Sequence, residues 1–165
     1  MSATEHLACL LLGSNIEPEQ NILTAVTLLQ ERVNILQASS AWESASVDCC
    51  YPDFINLALE VLTPLEADQL KDRVLRPLEM RMGRVRTEDK HASRTIDIDI
   101  ILFDGELLDA DLWQHAHQAV PVSELFPDYS SETGESLRVL AAHMAQSTPI
   151  HRRQDISVIL PEGNS

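Results

Sequence analysis

An α+β fold, an antiparallel sheet with helices on one face, is predicted by three features of this 165-residue chain. Apolar runs at Leu7–Leu12, Val33–Trp42, Phe54–Leu62 and Ile96–Phe103 have strand length and are bounded by turn or polar residues. Two of the segments between them place apolar residues at helical spacing. The order to Phe103 is therefore strand, helix, strand, strand, helix, strand, the βαββαβ arrangement of ferredoxin-like folds. Such a sheet leaves its other face for a ligand. The length suits one domain, 1–165, with a substantial core.

The first strand, Leu7–Leu12, closes in Gly13-Ser14-Asn15. Pro18 fits the first turn of a helix, whose apolar face is Ile22, Ala25, Val26 and Leu29, running to about Arg32. Val33–Trp42 is the second strand, with Trp42 expected in the core; stacking on a flat ligand is the alternative for it. An irregular stretch, Glu43–Asp53, leads to the third strand, Phe54–Leu62. Thr63-Pro64-Leu65-Glu66 reads as a capping box with proline at the first helical position. The helix it starts has Leu70, Val74, Leu75 and Leu78 on its apolar face and ends at Gly83. Pro77 should kink or stop it. After the fourth strand, Asp104-Gly105 is a turn signal. Beyond Leu108 a helix at Glu135–Met144 and a strand at Ile156–Leu160 complete a C-terminal extension.

Composition narrows the function. The N-terminus lacks the basic segment of a signal peptide, and no apolar run reaches a membrane span. Cys9, Cys49 and Cys50 make no disulfide framework, which suits reduced thiols in the cytoplasm. A net charge of −14 argues against nucleic acid or an anionic membrane as partner. Charge is nevertheless segregated: eight of the twelve Lys and Arg lie between Lys71 and Arg94 with four acids, so that window is +4 and the rest −18. Two readings are open for it, a site for a small anion or a solvated basic helix face.

The stretch SRTIDIDIILF, residues 93–103, sharpens the choice. In a strand Asp97 and Asp99 point to one face about 6.6–6.8 Å apart, while Ile96, Ile98 and Ile100 point to the other. Two carboxylates so close repel unless a cation sits between them, and Mg²⁺ is typically held by one or two carboxylates plus substrate phosphates. A solvent-facing strand with two ordinary acids is the alternative. Arg84, Arg86 and Arg94 are close in sequence, and guanidinium groups fork onto phosphate oxygens. Carboxylates for metal and arginines for phosphate are what phosphoryl transfer needs. A Walker loop and a nucleophile elbow are both absent. His115 and His117 could serve as metal or phosphate contacts, or lie as ordinary surface residues.

GSN after the first strand, DFIN at Asp53–Asn56, GRVR at Gly83–Arg86 and SRTIDIDIILF together resemble the 6-hydroxymethyl-7,8-dihydropterin pyrophosphokinase family, over roughly Leu7 to Phe103. The resemblance implies transfer of pyrophosphate from ATP to the pterin hydroxymethyl group, with AMP released, as a step of folate biosynthesis. It implies that Asp97 and Asp99 bind two Mg²⁺ ions, and that Arg84 and Arg94 hold the triphosphate and stabilise its transition-state charge. Arg86 would sit on a mobile loop over ATP, with Glu79 and Ile100 lining the nucleotide site. Phe54 would stack on the pterin and Asn56 bond its edge, with Ser44 and Val47 in the loop that reads it. A monomer taking only pterin and ATP is the implied state.

The chain departs from the family pattern in three places. Trp42-Glu43-Ser44-Ala45-Ser46-Val47 replaces a Y-x-T-x-P-like run, with Ser44 for threonine. His91-Ala92-Ser93 stands where the family often has tryptophan. Leu112–Pro121 replaces the P-H-x-x-x-x-x-R-x-F segment. Two further functions therefore stay open: a non-catalytic paralogue binding a pterin, nucleotide or protein, and a pyrophosphokinase with another acceptor.

Overall fold

The structure, a computed structural model, describes residues 4–45, 53–83 and 95–160. Val47, Cys49, Cys50, Arg84, Arg86, His91 and Arg94 lie outside them.

The strands are β1 His6–Ser14, β2 Asn34–Ala38, β3 Ala41–Ser44, β4 Phe54–Thr63, β5 Asp97–Phe103, β6 Glu106–Leu107 and β7 Ile150–Arg153. The helices are α1 Pro18–Gln30, α2 Ala67–Leu70, α3 Arg76–Arg81, α4 Ala116–Leu125 and α5 Leu137–Ser147. All pairings are antiparallel, in the order β6-β5-β1-β4-β3-β7, with β2 also on β4. Taking β2 and β3 as one broken strand, the core is the expected ferredoxin-like sheet.

Period-two alternation sorts the side chains. Leu10, Leu12, Leu57, Leu59, Ile96 and Ile98 face α1 and the α2–α3 helix and form one apolar cluster. Cys9, Leu11, Ala58, Ile101 and Leu102 face the opposite side. That side is not wholly free, as expected of the βαββαβ unit alone. The C-terminal extension lays α4 and α5 over it, burying Leu112, Ala119, Val122, Leu137 and Ala141. A bulge helps: the β1–β5 register shifts between Cys9 and Leu10, so Ile101 and Leu102 both join this second cluster.

Local chemistry explains the boundaries. β4 runs on to Thr63 because Thr63 pairs with His6, so the helix begins later than Thr63-Pro64 suggests. Its N-cap is Glu66, in a reciprocal capping box with Gln69. Pro77 neither stops nor ends this helix. The backbone stays helical from Ala67 to Arg81, and a π turn at Lys71–Leu75, just before Pro77, accommodates the missing N–H. Gly83, at φ 89°, closes the helix with its N–H on the Met80 carbonyl. Asp104 (φ 50°) and Gly105 (φ 81°) make the β5–β6 turn. The second strand breaks at Ser39-Ser40, and the strand expected at Ile156–Leu160 is irregular; β7 takes the β3 edge instead.

Candidate active site

Registers bring four strands together on the sheet face opposite α1–α3. Trp42 pairs with Asn56, Asn56 with Gly13, and Gly13 with Asp97. Directly opposed residues share a face, so these four form one row across β3, β4, β1 and β5. Ser44 opposite Phe54 flanks the row on one side, and Leu11 opposite Asp99 on the other. Phe54, Asn56, Ser44, Asp97 and Asp99 thus share one face of the sheet. Trp42 packs at the rim of the second cluster, half-buried, rather than in the main core.

Gly13 is the low point of the row. A Cβ there would stand 2.7 Å from Asn56 Nδ2 and 3.9 Å from Phe54 Cδ1. The hydrogen side chain lets the Asn56 amide lie across β1, where Nδ2 donates to the Leu12 carbonyl at 3.4 Å. Asn56 is 6% exposed, and its Oδ1 has no hydrogen-bond partner. A buried acceptor left unmet is costly and marks a place where a ligand donor fits.

Asp97 and Asp99 are half-buried on the same face. Burial, and then the neighbouring Asp97 charge, push the Asp99 carboxyl up to about 7; Asp109 adds to this and Arg76 opposes it. The acids therefore hold a proton near neutrality that a divalent cation would displace. Hard oxygen donors in this state suit Mg²⁺. Among the described residues no third His, Cys, Asp or Glu joins them in a cluster able to hold a metal.

Glu79 is buried at 1% exposure. Its carboxylate accepts from Arg76 Nη1 at 2.8 and 3.1 Å and from the Ile98 N–H at 2.8 Å, pinning the strand between the two aspartates. Ile100 lines a hollow of about 250 Å³ at the open edge of β5, with Asp99, Lys71, Arg76, Leu108 and Asp109. Glu79 itself is not on that wall.

Sequence reasoning overlooked Gly13 as a space-maker, Arg76 as the cation beside Asp99, and Asp109 and Gln118. Asp109 Oδ2 lies 3.5 Å from Gln118 Nε2. Gln118 Oε1 is buried without a partner. His115 and His117 stack at 5.2 Å; His115 is exposed, and burial lowers His117 to about 4, keeping it neutral. The signal for Gly13 was its place at the end of a strand, legible only once the strands are paired.

Comparison with known proteins places the chain in a family. A Pseudomonas aeruginosa 2-amino-4-hydroxy-6-hydroxymethyldihydropteridine pyrophosphokinase is 30% identical over 143 residues, covering 79% of this chain and 87% of that protein. The Bacillus subtilis protein of the same name is 34% identical over 112 residues, covering 64% and 65%. The folic acid synthesis protein of Dictyostelium discoideum is 30% identical over 142 residues, but the match spans only 21% of its length. A crystal structure of Plasmodium falciparum HPPK-DHPS with pteroate shares the fold at TM-score 0.68 and 13% identity, over 88% of this chain and 44% of that one. The family model for 7,8-dihydro-6-hydroxymethylpterin-pyrophosphokinase matches residues 9–127, beyond Phe103 and through α4. On that match, this chain belongs to the 7,8-dihydro-6-hydroxymethylpterin-pyrophosphokinase family.

Proposed function

We propose that this chain transfers pyrophosphate from ATP to the hydroxymethyl group of 6-hydroxymethyl-7,8-dihydropterin, releasing AMP. The observation that carries the reading is the row Asn56–Gly13–Asp97: an unmet amide acceptor and a paired-acid site one glycine apart. A pterin lying over Gly13 can meet Asn56 Oδ1 with a ring N–H and extend its arm toward Asp97. Phe54, whose Cδ1 would lie 3.9 Å from a Cβ at Gly13, is near enough for stacking.

The chemistry asks the protein mainly for placement. The acceptor hydroxyl oxygen forms a bond to the β-phosphorus, the bond from that phosphorus to the α–β bridging oxygen breaks, and the hydroxyl proton leaves. Asp97 and Asp99 would hold Mg²⁺, two ions in this reading, which when bound neutralises charge on the polyphosphate. Arg84 and Arg94 would clamp the triphosphate, and Arg86 would close over it. Glu79 and Arg76 keep the aspartate strand in place from behind. Ile100 and the hollow on the β5 edge would take the nucleotide. Ser44 and Val47 would border the pterin. A monomer in the cytoplasm completes the reading; among the described residues no helix is long and apolar enough to cross a membrane.

With Mg-ATP and the hydroxymethyl dihydropterin, AMP should appear in equal amount to pyrophosphorylated pterin. ADP as product, or binding without turnover, would sink the proposal. Asp97→Ala should abolish turnover and keep the melting transition; an active variant would rule out the metal role.

A second reading, a binding module, draws on α4, where His115 and His117 stand in place of the family's arginine-bearing segment. Calorimetry separates the two: tight pterin or ATP binding with no AMP formed favours the module.

A further inference from the structure

Glu124, near the end of α4, spends its whole carboxylate on β3 and the residue before it. Oε2 accepts from the Ser40 N–H at 3.1 Å and from the Trp42 indole Nε1–H at 2.7 Å, and Oε1 accepts from Ser40 Oγ at 2.9 Å. The two Ser40 bonds suffice to tie α4 to the sheet. The third goes to a ring that stands on the ligand face, directly opposite Asn56.

We infer that Trp42 is the end wall of the acceptor pocket and that Glu124 is the positioning residue that fixes its indole. The inference rests on the pterin reading above and deepens it. The row runs Trp42, Asn56, Gly13, Asp97, lowest at Gly13, where the Asn56 amide lies over β1. A flat bicyclic ring lying there has the acids at one end and Trp42 beyond Asn56 at the other. The indole limits how far the ring slides from Asp97. One side of the indole is fixed by the cluster under α4 and α5, and its N–H is held by an ionised acceptor, a short and directional bond. A ring so held resists displacement by the ligand; a loose ring would let the hydroxymethyl group drift from the attack position, which catalysis punishes steeply. The ligand chemistry this wall accepts is a planar heteroaromatic whose reactive arm points away from Trp42.

Steady-state kinetics of Trp42→Phe, Glu124→Ala and the double variant test the inference, with acceptor and ATP varied separately. Each single change should raise the acceptor KM about tenfold, the scale of one lost directional contact, and leave the ATP KM within about twofold. The double variant should be no worse than the poorer single, because Glu124 acts through Trp42. Glu124→Gln, which can still accept from the indole, should restore most of the acceptor KM. Additive losses, or equal effects on ATP and acceptor, would identify a purely structural tie and overturn the inference. A binding readout separates it from the pterin reading. In a Trp113→Phe background, which removes the other tryptophan, Trp42 fluorescence should be quenched as pterin saturates the site. Saturation seen by calorimetry with unchanged Trp42 emission overturns the end wall alone. No pterin binding by the unsubstituted protein overturns both.

Discussion

Gly13→Ala is the sharpest perturbation of the acceptor site, because a single methyl group must displace a single amide. The new Cβ would lie 2.7 Å from Asn56 Nδ2, against about 3.5 Å for an unstrained contact, so the amide must move by most of an ångström. The other near atom, Phe54 Cδ1, is 3.9 Å away and need not move. Turning Asn56 off its rotamer costs about 0.5–1.5 kcal/mol. The same substitution stiffens the unfolded chain and returns about 0.4–1 kcal/mol. Global stability should therefore change by less than about 1 kcal/mol.

Ligand affinity has no such compensation. On the proposed reading, with Asn56 turned aside the ring donor it would meet is buried without a partner, a penalty of about 1–3 kcal/mol. That is roughly 5- to 150-fold in acceptor affinity. Calorimetry with pterin, kinetics in both substrates, and a thermal melt should show weakened acceptor binding, a normal ATP KM and a nearly normal melting temperature. Acceptor affinity within twofold of the parent would refute the role of the Gly13 gap. A large drop in melting temperature would refute the claim that Asn56 can yield.

Mg²⁺ binding should depend on pH. The Asp99 carboxyl stands near 7, so below that pH the cation must displace its proton, and each unit of acidification should weaken Mg²⁺ about tenfold. Calorimetric titrations should flatten above pH 7; affinity constant from pH 5.5 to 7.5 would contradict this. Without metal, the stability that protonated Asp99 confers is fully present below its unfolded value of about 4 and is lost as pH rises through about 7. Protonated His6 donates Nδ1–H to Asp104 (2.6 Å) and Nε2–H to Glu66 (3.2 Å), and the Asp104 bond raises it most. Its stabilisation is full below its unfolded value, about 6.5, and fades as pH rises through the raised folded value. Bonding to His6 lowers Asp104, so the pair is lost again in acid. The melting-temperature difference between the parent and His6→Gln should therefore peak near pH 5–6; a difference that is flat from pH 5 to 9 would exclude the pair. Cys9 is fully buried and its thiol is pushed up by burial, so with Cys49 and Cys50 changed to serine it should resist thiol reagents until the protein unfolds. Rapid labelling of the native protein would refute that packing.

The parts of the fold legible in the sequence are those where burial is one-sided. Ile22, Ala25, Val26 and Leu29 repeat at helical spacing because α1 has one dry face, and Asp97 and Asp99 break an isoleucine strand because the first half of β5 is fully buried on one side only. α4 escaped for the opposite reason. Ala116, Gln118, Ala119, Val120, Pro121 and Val122 are all buried, so no period survives, and Pro121 reads as a helix breaker. Ile156–Leu160 alternates like a strand, yet the β3 edge is taken by β7. Its Ile150-His151-Arg152-Arg153 has no strand-like alternation, but Arg153 reaches Glu43 at 2.8 Å and Glu19 at 3.2 Å.

The site follows the same division. Spacing along the chain exposes neighbours two residues apart, which is why the aspartates stand out. It cannot expose neighbours across strands, and the proposed acceptor half of the site depends on those: Trp42, Asn56 and Gly13 come from three strands and oppose one another only once these pair. The charge balance beneath the acids is hidden likewise. Arg76 belongs to a segment whose basicity suggests phosphate, yet its guanidinium is committed to Glu79 and lowers the cost of Asp99 from the side. Glu79 in turn satisfies the Ile98 N–H on the open edge of β5. Replacing Glu79 by glutamine would keep an acceptor for that N–H and remove the charge that holds Arg76. The aspartate strand should then stay in register while Arg76 is released toward Asp99, easing its ionisation and weakening the proton's competition with Mg²⁺. The pH at which Mg²⁺ affinity levels off should fall in Glu79→Gln relative to the parent. An unchanged break point would mean that Arg76 bears on Asp99 regardless of Glu79.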